Sequence, residues 1–97
     1  MIDVTSDQKE MLRDLFKKHT PGIEVWVFGS RVVGSAKPSS DLDVALYAAQ
    51  SIPLQTLALL ETALQEAPLP FKVDCVDVNS ISDSFRRIIE GQRERLL

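Results

Sequence analysis

Phe28-Gly29-Ser30-Arg31, followed by Lys37-Pro38-Ser39-Ser40-Asp41-Leu42-Asp43-Val44, is the stretch on which the fold turns. Upstream of the glycine, Ile23 to Phe28 is rich in β-branched and aromatic residues, which predicts a strand closed by Gly29. Downstream, Asp41 to Tyr47 alternates. Asp41, Asp43 and Ala45 share one face, and Leu42, Val44 and Leu46 share the other. That period of two predicts a second strand with an acidic and an apolar face. Ser30 to Gly34 has room for one helical turn, and Lys37 to Ser40 is a loop by composition. So short a link predicts that the two strands run antiparallel.

The flanks extend this pattern. Thr5-Ser6-Asp7-Gln8 has the form of a capping box, and Met11, Leu12, Leu15 and Phe16 follow at helical spacing until Pro21-Gly22. Ser51 to Glu66 predicts another helix, with Pro53 in its first turn and a Leu54, Leu57, Leu60, Leu64 stripe. Pro68 and Pro70 stop it, and Phe71 to Val78 reads as a third strand, parallel to the second across the helix. Ser80 or Ser82 caps a last helix carrying Phe85, Ile88 and Ile89 and ending near Gly91. Arg93 to Leu97 reads equally as a fraying turn or a short edge strand. The sum is one α/β (α+β) domain over residues 1–97, a small mixed β-sheet of three or four strands with helices on one face.

Composition bounds the function. Eleven Lys and Arg against fourteen Asp and Glu give a net charge of -3, which argues against a chain held on nucleic acid by phosphate contacts. The single Cys75 excludes an internal disulfide and a cysteine zinc cluster. The start has neither the basic nor the apolar region of a signal peptide, and no apolar run reaches the ~20 residues of a membrane helix. A cytoplasmic protein of 97 residues is expected, with little chain left over for a second lobe to grip a large substrate.

Three features carry chemistry. Gly29-Ser30 at a strand end permits close backbone approach, and amides of the following turn can hold phosphate oxygens beside the Ser30 hydroxyl; alone, such a pair is usually a plain turn. Asp41 and Asp43, at i and i+2 of a strand, lie on one face with Cα atoms ~7 Å apart, and suit a hard cation such as Mg²⁺. An isolated pair of this kind is more often a solvated strand face. Asp74 lies inside the apolar run Phe71-Lys72-Val73-Asp74-Cys75-Val76, where burial without a partner would be costly. If the third strand lies beside the second, Asp74 joins Asp41 and Asp43. Three carboxylates repel one another without a cation.

Gly29-Ser30, ten residues, then Asp41-Leu42-Asp43 resembles the GSX10DXD signature of the polymerase-beta-like nucleotidyltransferase superfamily. The fuller run from Phe28 to Val44, the Val73-Asp74-Cys75-Val76 strand and the Ile88-Ile89-Glu90-Gly91 ending are similar to the minimal nucleotidyltransferase (MNT) group, over nearly the whole chain. The resemblance implies a nucleotidyltransferase palm. It implies that Gly29, Ser30, the Arg31 amide and the neighbouring Ser40 hold the nucleotide. Asp41, Asp43 and Asp74 would bind one or two Mg²⁺ ions, with Asp74 also the general base. It further implies transfer of AMP from ATP to a hydroxyl, often a tyrosine of a partner HEPN-domain toxin, with the chain acting as antitoxin.

Other residues have plainer readings beside functional ones. The Arg31 side chain either contacts a phosphate or is solvated on its short turn. Lys37 and His19 read as surface groups, and Trp26 as a packing residue that could stack on a base. Asp77 has the opposite parity to Asp74 and should face away from it. Arg86, Arg87, Arg93 and Arg95 form a solvated basic face or a partner-docking surface. Two functions follow: an enzyme that modifies its partner, or a binding module that neutralises the partner by occlusion without catalysis. In either, the missing lobe predicts a homodimer or a hetero-oligomer in which the acceptor arrives in trans, and the acidic balance argues against a nucleic-acid acceptor.

Overall fold

The computed structural model describes residues 1–97. Its elements are α1 (Ser6–His19), β1 (Glu24–Phe28), α2 (Ser30–Val33), β2 (Leu42–Tyr47), α3 (Leu54–Glu66), β3 (Val73–Asp77), a 3-10 turn (Val78–Ser80), α4 (Asp83–Gly91) and β4 (Arg93–Arg95). The four strands form one sheet in the order β3-β2-β1-β4. β1 is antiparallel to both β2 and β4, whereas β2 and β3 are parallel, so the sheet is mixed as expected.

The capping box forms: the Gln8 amide donates to Thr5 Oγ1 at 3.1 Å and the Thr5 amide to Gln8 Oε1 at 2.9 Å. Lys17, Lys18 and His19 lie in the last turn of α1, where positive charge suits the helix dipole. Leu12 and Phe16 of α1 and Leu60 and Leu64 of α3 pack on Val25, Val27, Leu42, Val44 and Leu46. Each large apolar side chain buried in this way stabilises the fold by about 1.5–3 kcal/mol.

The expectation of helices on one face is incomplete. α4 covers part of the opposite face. There Ala45, Val78 and Ile89 form a second small core with Phe28, Tyr47, Val76 and Phe85. Ala45 has the same parity as Asp43, so the side of β2 that reads as acidic turns apolar one residue pair beyond the carboxylates. Several boundaries also shift. Pro53 is the N-cap of α3 rather than a first-turn residue, Asp41 stands just before β2, and β3 begins at Val73 rather than Phe71. Ser82 is the cap of α4, accepting from the Phe85 amide at 3.1 Å. The two readings of the C-terminus resolve to a strand: Arg93, Glu94 and Arg95 pair with Phe28, Val27 and Trp26.

Asp77 is buried, as its parity demands, on the side of the sheet away from Asp74. Its carboxylate accepts from the Ile52 amide at 2.7 Å and the Asn79 amide at 2.9 Å, which joins the end of β3 to the entry of α3. Asp77→Ala leaves the buried Ile52 amide unpaired and should lower the unfolding free energy by about 2 kcal/mol, measured by urea denaturation.

Candidate active site

The site lies where β1, β2 and β3 meet at one end of the sheet. Asp43 is the register partner of Phe28 on one side and of Asp74 on the other. Opposed residues in a sheet point to the same face, so Asp43 and Asp74 stand side by side, about 4.8 Å apart in backbone spacing. Asp41 precedes them on the same parity and is exposed. The three carboxylates are brought to one end of one face, as the sequence reading required.

Gly29 explains why Asp43 has room. It has a φ of +79°, and a Cβ at this position would overlap the Asp43 carboxylate, with its Cγ only 3.3 Å away. After Gly29 the chain turns at once into α2, whose Val32 and Val33 amides return to the Gly29 carbonyl at 3.0 and 3.1 Å. Ser30 and the Arg31 amide thus occupy the first helical positions, where backbone N–H groups have no intrahelical partner.

Electrostatics follow from this crowding. The Asp43 carboxyl is pushed above the usual carboxylate range, first by burial, then by Asp74, then by Asp41. Asp74 has a counter-charge: Lys72 Nζ lies 3.2 Å from its Oδ1, and this contact raises the pKa of Lys72. Lys72 was not among the residues singled out from sequence, although its place two residues before Asp74 puts it on the same face. A cavity of about 440 Å³ beside the free edge of β3 reaches Lys72 and Asp74, with Glu61, Leu64 and Phe71 among its walls. Asp41 and Asp43 are not part of it.

Arg31 fits neither expectation for its side chain. It is 5% exposed, and its guanidinium donates to the carbonyls of Asp3 (2.7 Å), Lys37 (3.3 Å), Pro38 (2.9 Å) and Ser40 (2.9 Å). It also lies 4.1 Å from the centroid of the Phe71 ring. A buried cation held by four carbonyls cannot present a fork to a phosphate, so the side chain is a clamp on the loop before Asp41. Ser40 belongs to the same loop, its Oγ accepting from the Lys37 amide at 2.8 Å.

The donor chemistry suits a hard divalent cation: oxygens only, crowded enough to raise one carboxyl's pKa, with an ammonium as the local counter-charge. The carboxylates do not close into a ready-made three-ligand metal cluster.

Residues 10–97 match the family described as Polymerase beta, Nucleotidyltransferase. The chain belongs to this family. It is also 35% identical over 88 residues to the Probable protein adenylyltransferase MntA of Haemophilus influenzae, covering 91% of this chain and 77% of that protein. Among solved structures, a toxin-antitoxin with AMP-PNP superposes with a TM-score of 0.78 at 26% identity, covering 92% of this chain and 72% of the other. A mutant of the toxin-antitoxin MntA-HpeT gives a TM-score of 0.76 at 25% identity, covering 98% and 73%. The resemblance carried by Gly29-Ser30 and Asp41-Leu42-Asp43 to the minimal nucleotidyltransferase group is therefore borne out, and the chain is a nucleotidyltransferase. No helix is long and apolar enough to cross a membrane.

Proposed function

We propose that this chain is an antitoxin that transfers an adenylyl group from ATP to a hydroxyl, a tyrosine by preference, on a HEPN-domain toxin. The observation that carries this reading is the in-register placement of Asp43 and Asp74 beside the side-chain-free Gly29, with Asp41 on the same parity. The likeness to an adenylyltransferase and to toxin-antitoxin structures supplies the donor and the class of acceptor. The reaction belongs in the cytoplasm, where the free Cys75 stays reduced.

Each residue then has a task. Gly29 lets the triphosphate approach the backbone, and Ser30 and the Arg31 amide donate to its oxygens. Ser40 and Arg31 hold the loop that aims Asp41. Asp41, Asp43 and Asp74 would hold Mg²⁺, which when bound neutralises phosphate charge and polarises the α-phosphate. Asp74 accepts the proton of the incoming hydroxyl. Lys72 stands beside Asp74 as its counter-charge. The new oxygen–phosphorus bond forms as the bond to the leaving pyrophosphate breaks.

Incubation with Mg²⁺, α-labelled ATP and the HEPN-domain partner should place label on the partner. The Asp41→Asn/Asp43→Asn protein should transfer at least about 10³-fold more slowly. Equal labelling by that variant would overturn the reading, and protection from the toxin by the variant at normal expression would favour occlusion alone. Metal binding has its own readout. Mg²⁺ should raise the melting temperature of the wild type and leave Asp43→Asn unmoved. Without metal, Asp43→Asn should melt above the wild type at neutral pH, because it removes a crowded charge.

A further inference from the structure

The face that carries the carboxylates has a second built feature that the transfer chemistry does not use. Arg86, Tyr47, Arg93, Trp26 and Arg95 form a ladder of alternating guanidinium groups and aromatic rings. The guanidinium carbons lie 5.4 Å (Arg86 to Tyr47), 4.8 Å (Arg93 to Tyr47), 4.0 Å (Arg93 to Trp26) and 5.9 Å (Arg95 to Trp26) from the ring centroids. Trp26 and Tyr47 meet edge to face at 6.4 Å.

The ladder is fixed at both ends. Arg86 Nε and the Tyr47 hydroxyl both donate to Glu90 Oε2, at 3.2 and 3.1 Å. Arg95 lies 3.8 Å from Glu24, which also accepts from the Trp26 indole at 3.0 Å. The middle rung differs. Arg93 makes no ion pair, while Arg86 and Arg95 each have one. Its planar group is oriented by two rings, and no carboxylate is in direct contact with it, the charge of Glu90 reaching it only at longer range. On the neighbouring helix Arg87 is exposed and likewise unpaired.

The register places this feature. Arg93 opposes Phe28, Phe28 opposes Asp43, and Asp43 opposes Asp74. The four residues form a row across the sheet on one face, with Arg93 two strands, or about 10 Å of backbone, from Asp43. Phe28 in this row lies beneath Phe85 of α4, so a second protein that presents a hydroxyl to the carboxylates reaches the ladder across α4.

We infer that the Trp26–Arg93–Tyr47 ladder, together with the exposed Arg87 that follows its Arg86 rung on α4, is the docking surface for the protein acceptor, and that it takes a carboxylate-bearing segment of that partner. The inference deepens the proposed function and rests on it for the identity of the partner. The chemistry selects the occupant. Trp, Tyr and Arg are the side chains that most often dominate binding energy at protein interfaces. Rings and guanidiniums already stacked lose little freedom on binding. An unpaired, oriented guanidinium matches a carboxylate with two parallel hydrogen bonds. Glu24 and Glu90 stand among the arginines of this face, so no continuous basic track exists for a nucleic-acid backbone.

The test is a titration of the full chain with its HEPN-domain partner. R93E and R87E, the latter at an exposed position, should each weaken binding at least about tenfold. R93K, which keeps the charge and loses the fork, should fall between them and the wild type. Lys18→Glu makes the same change of charge on α1, behind the sheet, and should bind within about twofold of the wild type. Raising salt should weaken the wild type and hardly affect R93E. Affinity for ATP should not move in any of these proteins. Wild-type affinity in both R93E and R87E, or an equal loss in Lys18→Glu, would overturn the docking surface. So would a fluorescent oligoribonucleotide that binds the wild type and is released by R93E. A wild type that binds its partner without adenylylating it, while R93E and R87E lose binding, sinks the transfer reaction and leaves the surface standing.

Discussion

Arg31→Ala is expected to cost about 3 kcal/mol of stability, a large part of what a domain of this size has. Four carbonyls now share one guanidinium: Asp3 in the N-terminal segment, and Lys37, Pro38 and Ser40 in the loop before β2. Alanine removes every guanidinium donor at once and strips the Asp3, Pro38 and Ser40 carbonyls of this partner, the Lys37 carbonyl keeping the Ser40 amide at 3.0 Å. It also opens a void beside Phe71, whose ring packs against the guanidinium face. A surface arginine contributes little, so the prediction separates the clamp from a solvated residue. Arg31→Lys should recover only part of the loss, because one ammonium on a flexible stem cannot reproduce a planar fork spanning four carbonyls. Urea unfolding followed by circular dichroism measures both. A loss under about 1 kcal/mol for Arg31→Ala would show that water replaces the clamp without penalty.

The same residue shows where sequence reading stops. The antiparallel β1–β2 and parallel β2–β3 pairings and the shared face of Asp41, Asp43 and Asp74 were legible, because parity and link length are properties of the chain itself, whereas the place of β4 beside β1 was not. The fate of Arg31 was not. Its partners lie 28, 9, 7 and 6 residues away and are backbone oxygens, which leave no mark in side-chain pattern. Lys72 was within reach of the parity argument, but its pairing with Asp74 depends on rotamers rather than on spacing. The second core under α4 was hidden for another reason. Ala45 continues the carboxylate side of β2, and only the return of the chain from β3 through the Val78–Ser80 turn covers it. Residues 93–97 read equally as a turn or an edge strand, and pairing of Arg93–Arg95 with β1 decides for the strand. At an edge the charged side chains stay in solvent while the backbone bonds are made.

Gly29→Ala should abolish transfer almost completely while leaving a folded protein. Two separate penalties meet at this position. A φ of +79° is unfavourable for any residue with a Cβ, by about 1–2 kcal/mol. The added methyl would also occupy the space of an Asp43 carboxylate oxygen. The strain alone is affordable, and Gly34→Ala isolates it: Gly34 has a φ of +88° and nothing within 4 Å of a Cβ. Gly34→Ala should therefore lose about 1–2 kcal/mol of stability and keep near-normal transfer once folded. In Gly29→Ala the second penalty falls on the chemistry. Asp43 must rotate or β1 must part from β2 at the Phe28–Asp43 pair, and either change moves a carboxylate by an ångström or more. Displacement on that scale at a catalytic group is worth at least about 10²-fold in rate. Single-turnover transfer to the HEPN-domain partner, measured at saturating ATP and Mg²⁺, reads this directly. If Gly29→Ala and Gly34→Ala lose equal stability and equal activity, the contact with Asp43 has no part in catalysis and positive φ explains both glycines. A loss confined to Gly29→Ala places the absence of a side chain there on the same footing as the three carboxylates.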